Sequence, residues 1–167
     1  PLAVGSGDWD GFPGTTLLDA RTLEERVRFH GHRVGTAAVA FSPDGKMLVS
    51  AGGDFTIGVI NLEKNSRTAI HHHQNEVVGV AFTPDGRHIL SVGLDKRSFL
   101  INAETLAVEP LTPRFATTPS HLALAPDGKD LYMALSYGTT GMMHSWTSAA
   151  PGRFTGKQRL RLPVPLR

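Results

Sequence analysis

At 167 residues and 18.0 kDa, with 40% hydrophobic residues, the chain has the size and apolar content of a single packed domain. It has no cysteine, which excludes disulfides, thiolate metal sites and a cysteine nucleophile, and no apolar run approaches the ~18 residues of a membrane-spanning helix. The net charge of +2 is unevenly spread: residues 153–167 hold Arg153, Lys157, Arg159, Arg161 and Arg167 with no acid, so the remainder carries 12 bases against 15 acids.

Glycine (18) and proline (11) are scattered along the whole chain, as many short strands joined by tight turns require. No signal peptide is visible at the N-terminus, which begins at Pro1. Residues 2–8 repeat the pattern of residues 48–54, and residues 15–19 supply a following strand. Between them, the loop Trp9-Asp10-Gly11-Phe12-Pro13-Gly14 is four residues longer than its counterpart in the later copies. Residues 22–28 are the one stretch that reads as helix, and the repeat register makes it a strand.

The tripeptide Pro-Asp-Gly then recurs at 43–45, 84–86 and 126–128, at intervals of 41 and 42 residues. The surrounding text recurs with it: Val39-Ala40-Phe41-Ser42 answers Val80-Ala81-Phe82-Thr83 and then Leu122-Ala123-Leu124-Ala125. Each copy has the same physical reading. An apolar strand precedes the turn, Pro sets φ at its first central position, and Asp and Gly tolerate the reversal. A second strand follows (47–51, 88–92, 131–135), then a turn at Asp54 or Asp95, and a third strand (57–61, 98–102). Four short strands in about 40 residues is the spacing of a β-propeller blade. The expected fold is therefore all-β, with four-stranded antiparallel blades.

At these positions the chain resembles the WD-repeat family. That family's blade carries Gly-His before its first strand, Ser or Thr in the second, Asp in the next turn, and Trp-Asp ending the third. Here the corresponding residues are Gly31-His32, Ser50, Asp54 and Ile60-Asn61, and then His72-His73, Ser91, Asp95 and Ile101-Asn102. The resemblance implies a buried hydrogen-bonded chain in each blade, His32–Ser50–Asp54 and His73–Ser91–Asp95. Ile stands where the family has Trp in both, so each network is expected to end at its Ser or Asp. The blade around Pro126 keeps an aromatic at that place, Trp146, but has Tyr137 where Asp is expected and no clear His. Its Leu131-Tyr132-Met133-Ala134 also resembles the propeller repeats of bacterial surface and periplasmic proteins.

The expected division is a partial blade over 1–30, blades over 31–71 and 72–114, a divergent blade over 115–156, and a basic tail or closing strand over 157–167. About three and a half blades fall short of the four to eight that close a propeller. The arc is expected to be part of a longer protein; completion by a second copy or another subunit, or a small four-blade ring, are the alternatives.

Several patterns that suggest chemistry have plainer readings. His71-His72-His73 cannot all face one ion, because adjacent side chains of an extended chain alternate in direction. The aspartates recur at the repeat period, as turn residues do and catalytic residues do not. No catalytic, metal or cofactor site is expected. The basic tail alternates in Arg159-Leu160-Arg161-Leu162, fitting an edge strand; with Phe154 its only aromatic, it argues against nucleic-acid binding. The candidate working surface is a rim carrying Trp9, Phe12, Arg33, Asn75, Glu76, Lys96 and Arg97, since aromatic residues dominate binding hot spots. The expected function is a non-catalytic scaffold that recruits protein partners within a larger assembly, favoured in the cytoplasm. The alternative is a bacterial periplasmic or surface propeller that binds a small ligand or forms part of an enzyme.

Overall fold

A computed structural model describes residues 2–6, 14–112, 114–137, 140–150 and 153–161. These residues form fifteen strands and, among them, no helix. The first sheet holds β1 (Leu2–Ser6), β2 (Gly14–Leu18) and β3 (Glu25–His30). The second holds β4 (Thr36–Phe41), β5 (Met47–Gly52), β6 (Ile57–Asn61) and β7 (Ser66–Ile70). The third holds β8 (Val77–Phe82), β9 (His88–Gly93), β10 (Ser98–Asn102) and β11 (Val108–Pro110). The last holds β12 (Pro119–Leu124), β13 (Asp130–Tyr137), β14 (Thr140–Ala150) and β15 (Arg153–Arg161). In every sheet neighbours in sequence are antiparallel neighbours in space. Residues 25–30, inside or beside the stretch that could pass for helix, form a strand, because pairing with β2 offers Phe29 a buried face. The basic segment Arg153–Arg161 is the outer strand of the last sheet.

The three Pro-Asp-Gly reversals occupy equivalent corners. Gly45, Gly86 and Gly128 have φ of 71°, 70° and 71°, a conformation that costs glycine little and other residues more. Each closes its turn by donating its N–H to the carbonyl three residues back, Ser42, Thr83 and Ala125, at 2.9, 2.8 and 2.8 Å. Each Asp accepts from the backbone N–H two residues on, at 3.0 Å in all three. The first strand of each of the last three sheets also bulges at one equivalent place, between Thr36 and Ala38, Val77 and Gly79, and Pro119 and His121.

The sheets stack face to face. Leu17, Phe29, Leu48 and Ile60 fill the space between the first and second. Val49, Ile57, Val77, Phe82 and Ile101 are among the residues joining the second to the third, and Leu90, Val92, Leu131 and Met133 join the third to the last. The second strands of the two central blades, β5 and β9, are thus buried on both faces, and Leu48, Ile89 and Leu131 are fully inaccessible. That explains their near-continuous apolar text. Truncating any of the three to Ala is expected to cost about 2–5 kcal/mol. Among the described residues the sheets form an open arc, with the first and last separated by the two central blades.

Candidate functional site

Antiparallel order puts the β5–β6 and β9–β10 turns, and the links entering β4 and β8, at one rim. The Pro-Asp-Gly turns lie at the opposite rim. A buried polar cluster supports the first rim in each central blade. In the earlier one, His32 Nε2 lies 2.8 Å from Ser50 Oγ and His32 Nδ1 lies 3.0 Å from Asp54 Oδ1. Asp54 also accepts from the Arg33 N–H at 2.9 Å and from the Thr56 hydroxyl at 2.7 Å. With a carboxylate at Nδ1, the ring donates there and accepts at Nε2 from Ser50. In the later blade His73 Nε2 is 3.0 Å from Ser91 Oγ, and Nδ1 is 3.0 Å from Asp95 Oδ1. Asp95 accepts from the N–H groups of Gln74 and Arg97 at 2.9 and 3.1 Å.

The electrostatics follow from burial. Burial pushes the pKa of His32 down; the Asp54 hydrogen bond opposes this and the nearby Arg67 charge adds to it. His73 is likewise lowered, chiefly by burial, against the pull of Asp95. Burial raises Asp54, but the Arg33 N–H, the Thr56 hydroxyl and His32 together outweigh it and hold the carboxyl at about 2. Each cluster is thus a neutral imidazole clamped by a carboxylate and a hydroxyl. Both ring nitrogens are engaged, so neither is presented to a substrate.

Three parts of these clusters have no counterpart in the sequence reading. Gly52 and Gly93 lie against them: a Cβ at Gly52 would sit 2.1 Å from His32 Nδ1, and one at Gly93 would sit 2.5 Å from His73 Nδ1. Their recurrence 41 residues apart is the signal that could have found them. The earlier network also does not stop at Ser or Asp. In the earlier blade Thr56 joins, and Arg67 Nη2 lies 3.5 Å from both ring nitrogens of His32, over the ring. In the later blade Phe99 meets His73 edge-on, with centroids 4.9 Å apart at 79°.

The named rim residues are placed as follows. Arg33, Asn75 and Glu76 are exposed, and Lys96 and Arg97 are half-buried. Lys96 Nζ donates to the Ala116 carbonyl at 3.3 Å. Trp9 and Phe12 lie outside the described residues. Trp146 is opposite Leu131 in the backbone register, as Ile60 is opposite Leu48 and Ile101 opposite Ile89; its side chain lies outside the described residues. Of the histidine run, His73 is buried and His71 and His72 are exposed. Two exposed apolar residues join the rim, Val34 at 50% and Phe55 at 43% exposure. Phe55 has φ of 71° and its counterpart Lys96 has 65°.

Four-stranded antiparallel blades, stacked face to face and locked by His, Ser and Asp, define a β-propeller architecture of the WD-repeat kind. Residues 23–61 and 64–101 match the family described as WD domain, G-beta repeat, so this part of the chain carries two WD repeats. Each matched segment takes the outer strand of one sheet with three strands of the next, so the sequence repeat straddles the blade boundary and ties neighbours together. No curated protein matches the chain in sequence. Among solved structures, a chain of Kuenenia stuttgartiensis Hydrazine Synthase is similar, with a TM-score of 0.74 and 20% identity over 89% of this chain. The match spans 43% of that chain, and at this identity it bears on the fold.

Proposed function

We propose that the chain is a non-catalytic interaction scaffold whose rim, built on the two His–Ser–Asp locks, recruits a protein partner within a larger assembly. One observation carries this reading. The two central blades share the same rim backbone while the side chains mounted on it differ. Arg33, Val34 and Phe55 in one stand where Gln74, Asn75 and Lys96 stand in the other. Both turns close alike, with Phe55 N–H donating to the Gly52 carbonyl at 3.2 Å and Lys96 N–H to Gly93 at 3.1 Å. Rigid strands that hold variable loops place function on the loops. Both turns need a left-handed residue, which Gly or Asn supplies at lowest cost. A part-exposed Phe in that position is a choice that turn geometry does not explain and an aromatic anchor does.

The locks themselves support the absence of catalysis, since the His32 and His73 imidazoles each have a structural partner on both nitrogens. The test is capture by the immobilised chain, comparing wild type with a Val34→Ser/Phe55→Gly double variant. A partner retained by wild type and by a Leu23→Ser control, but lost from the double variant, supports the reading. Equal capture by all three sinks it.

A further inference from the structure

At the rim opposite the locks, a cleft of about 1050 Å³ opens between the second and third sheets. Its floor is apolar, formed by Met47, Val59, Ala103 and Leu106, and is continuous with the core between those blades. Its mouth is polar. Among the described residues one buried side-chain nitrogen or oxygen lacks a hydrogen-bond partner, Nδ1 of His88, and His88 lines this cleft. Buried polar atoms are nearly always satisfied, so an exception in the wall of a cavity calls for a partner. The repeat does not explain it: the equivalent positions hold Met47 in the preceding blade and Asp130 in the following one, where Thr147 Oγ1 donates to the Asp130 carboxylate at 3.0 Å.

The chemistry around His88 narrows what could bind. Asp44 and Asp85, one from each Pro-Asp-Gly turn, and Glu104 line the mouth. Asp44 and Asp85 spend Oδ1 on their own turns, on the Ser42 and Thr83 hydroxyls at 2.6 Å and on backbone N–H groups. Those hydrogen bonds hold both carboxyls below the usual carboxylate range. Lys64 and Arg87 are the lysine and arginine of the lining, against the three acids Asp44, Asp85 and Glu104. A group made of donors at one end and methylenes along its stem fits this arrangement. Arginine and lysine side chains are built that way: they donate without accepting, and their stems pack on apolar surface.

We infer that this interblade cleft is a second binding site, distinct from the lock-side rim, for a basic peptide segment. The stem of an Arg or Lys side chain lies on Met47 and Leu106, and its head meets the carboxylates of Asp85 and Glu104, with His88 in the wall beside them. A cleft of this size matches the several hundred to about 1,000 Å³ of ordinary ligand sites.

The test uses the blocked peptide acetyl-Gly-Leu-Arg-Gly-amide, titrated into isotope-labelled chain and followed by NMR at the His88 ring and the Asn61 and Asn102 side-chain amides, all in the cleft wall. The expected result is saturable shifts at these groups, none with Glu in place of Arg, and binding weakened about fivefold or more by His88→Met or by Glu104→Lys. Met is native at the equivalent place one blade earlier, and Glu104 is exposed, so both variants should fold. Absence of saturation, equal binding of the Glu peptide, or undiminished binding by both variants overturns the inference. Shifts confined to Val34 and Phe55 overturn it too, while leaving the rim proposal standing. Conversely, a Val34→Ser/Phe55→Gly chain that loses its captured partner but still saturates at His88 separates the two sites.

Discussion

The two central blades solve one problem with different side chains. Both bury a histidine between a strand serine and a turn aspartate, and both lack the tryptophan that the WD-repeat pattern leads one to expect. In the later blade Phe99, buried at 8% exposure, covers His73 from the adjacent strand. In the earlier blade the same register position is Gly58, and the vacated space holds the guanidinium of Arg67, which comes from β7. A Cβ at Gly58 would meet Arg67 at 2.8 Å and Ser50 Oγ at 2.5 Å. One lid is a piece of the core and the other is a half-buried cation. The lock is therefore defined by its His–Ser–Asp geometry, while its cover is interchangeable as long as the imidazole face is shielded.

That contrast is broken most severely at the lids. Phe99→Ala should cost about 3–5 kcal/mol, as deletion of a buried aromatic does. Arg67→Ala should cost only about 1 kcal/mol, since its head is incompletely desolvated and its removal leaves both His32 nitrogens satisfied. Denaturant unfolding of the two variants measures the gap; equal losses would mean the lids are not what distinguishes the blades.

The glycines should behave alike where the lids do not. Gly52→Ala and Gly93→Ala each force a methyl into the His–Asp contact and are expected to lose about 2 kcal/mol. Alanine at Gly53, whose Cβ would meet Val34 at 3.0 Å on the exposed side, should lose less. Thermal melts rank the three, and parity of Gly53 with Gly52 would show that the locks tolerate intrusion.

Acid should weaken both locks together. His32 and His73 have folded-state pKa values lowered from 6.5, so below that value the unfolded chain binds more protons than the folded one, and stability falls as pH drops through and below 6.5. Asp54, at about 2 against 3.8 for the free group, adds a further loss below pH 4. The midpoint of thermal unfolding should hold steady from pH 8 to 7 and then decline toward pH 5. A variant carrying His32→Asn and His73→Asn should show a flatter decline.

The smallest effect concerns Phe55. Replacing it with Gly relieves a left-handed phenylalanine and should leave stability unchanged or raise it by up to about 1 kcal/mol, as a substitution suited to that conformation does. Lys96→Gly, at the matching turn, should behave similarly despite its opposite chemistry. A marked loss for Phe55→Gly alone would make that ring part of the core.

The architecture was legible because its signal is repeated. Three Pro-Asp-Gly corners at 41 and 42 residues announce equivalent turns, and the structure puts all three glycines within a degree of one φ. The His, Ser and Asp of each lock were legible for the same reason. Arg67 was not, because it reaches His32 across a strand only where Gly58 leaves room, and such a relation between strands has no sequence spacing of its own. Phe55 went unremarked because nothing local marks a residue in a turn as exposed. The cleft at His88 depends on two blades meeting, with its walls coming from residues about 40 positions apart.

Imidazole nitrogen NMR at neutral pH tests the central claim most directly, that these histidines are structural locks and the loops are the working parts. The account requires both His32 and His73 to be neutral, protonated at Nδ1 toward Asp54 and Asp95, and to resist protonation below the ordinary histidine range. Rings that carry the proton at Nε2, or that titrate freely near pH 6.5, would contradict it.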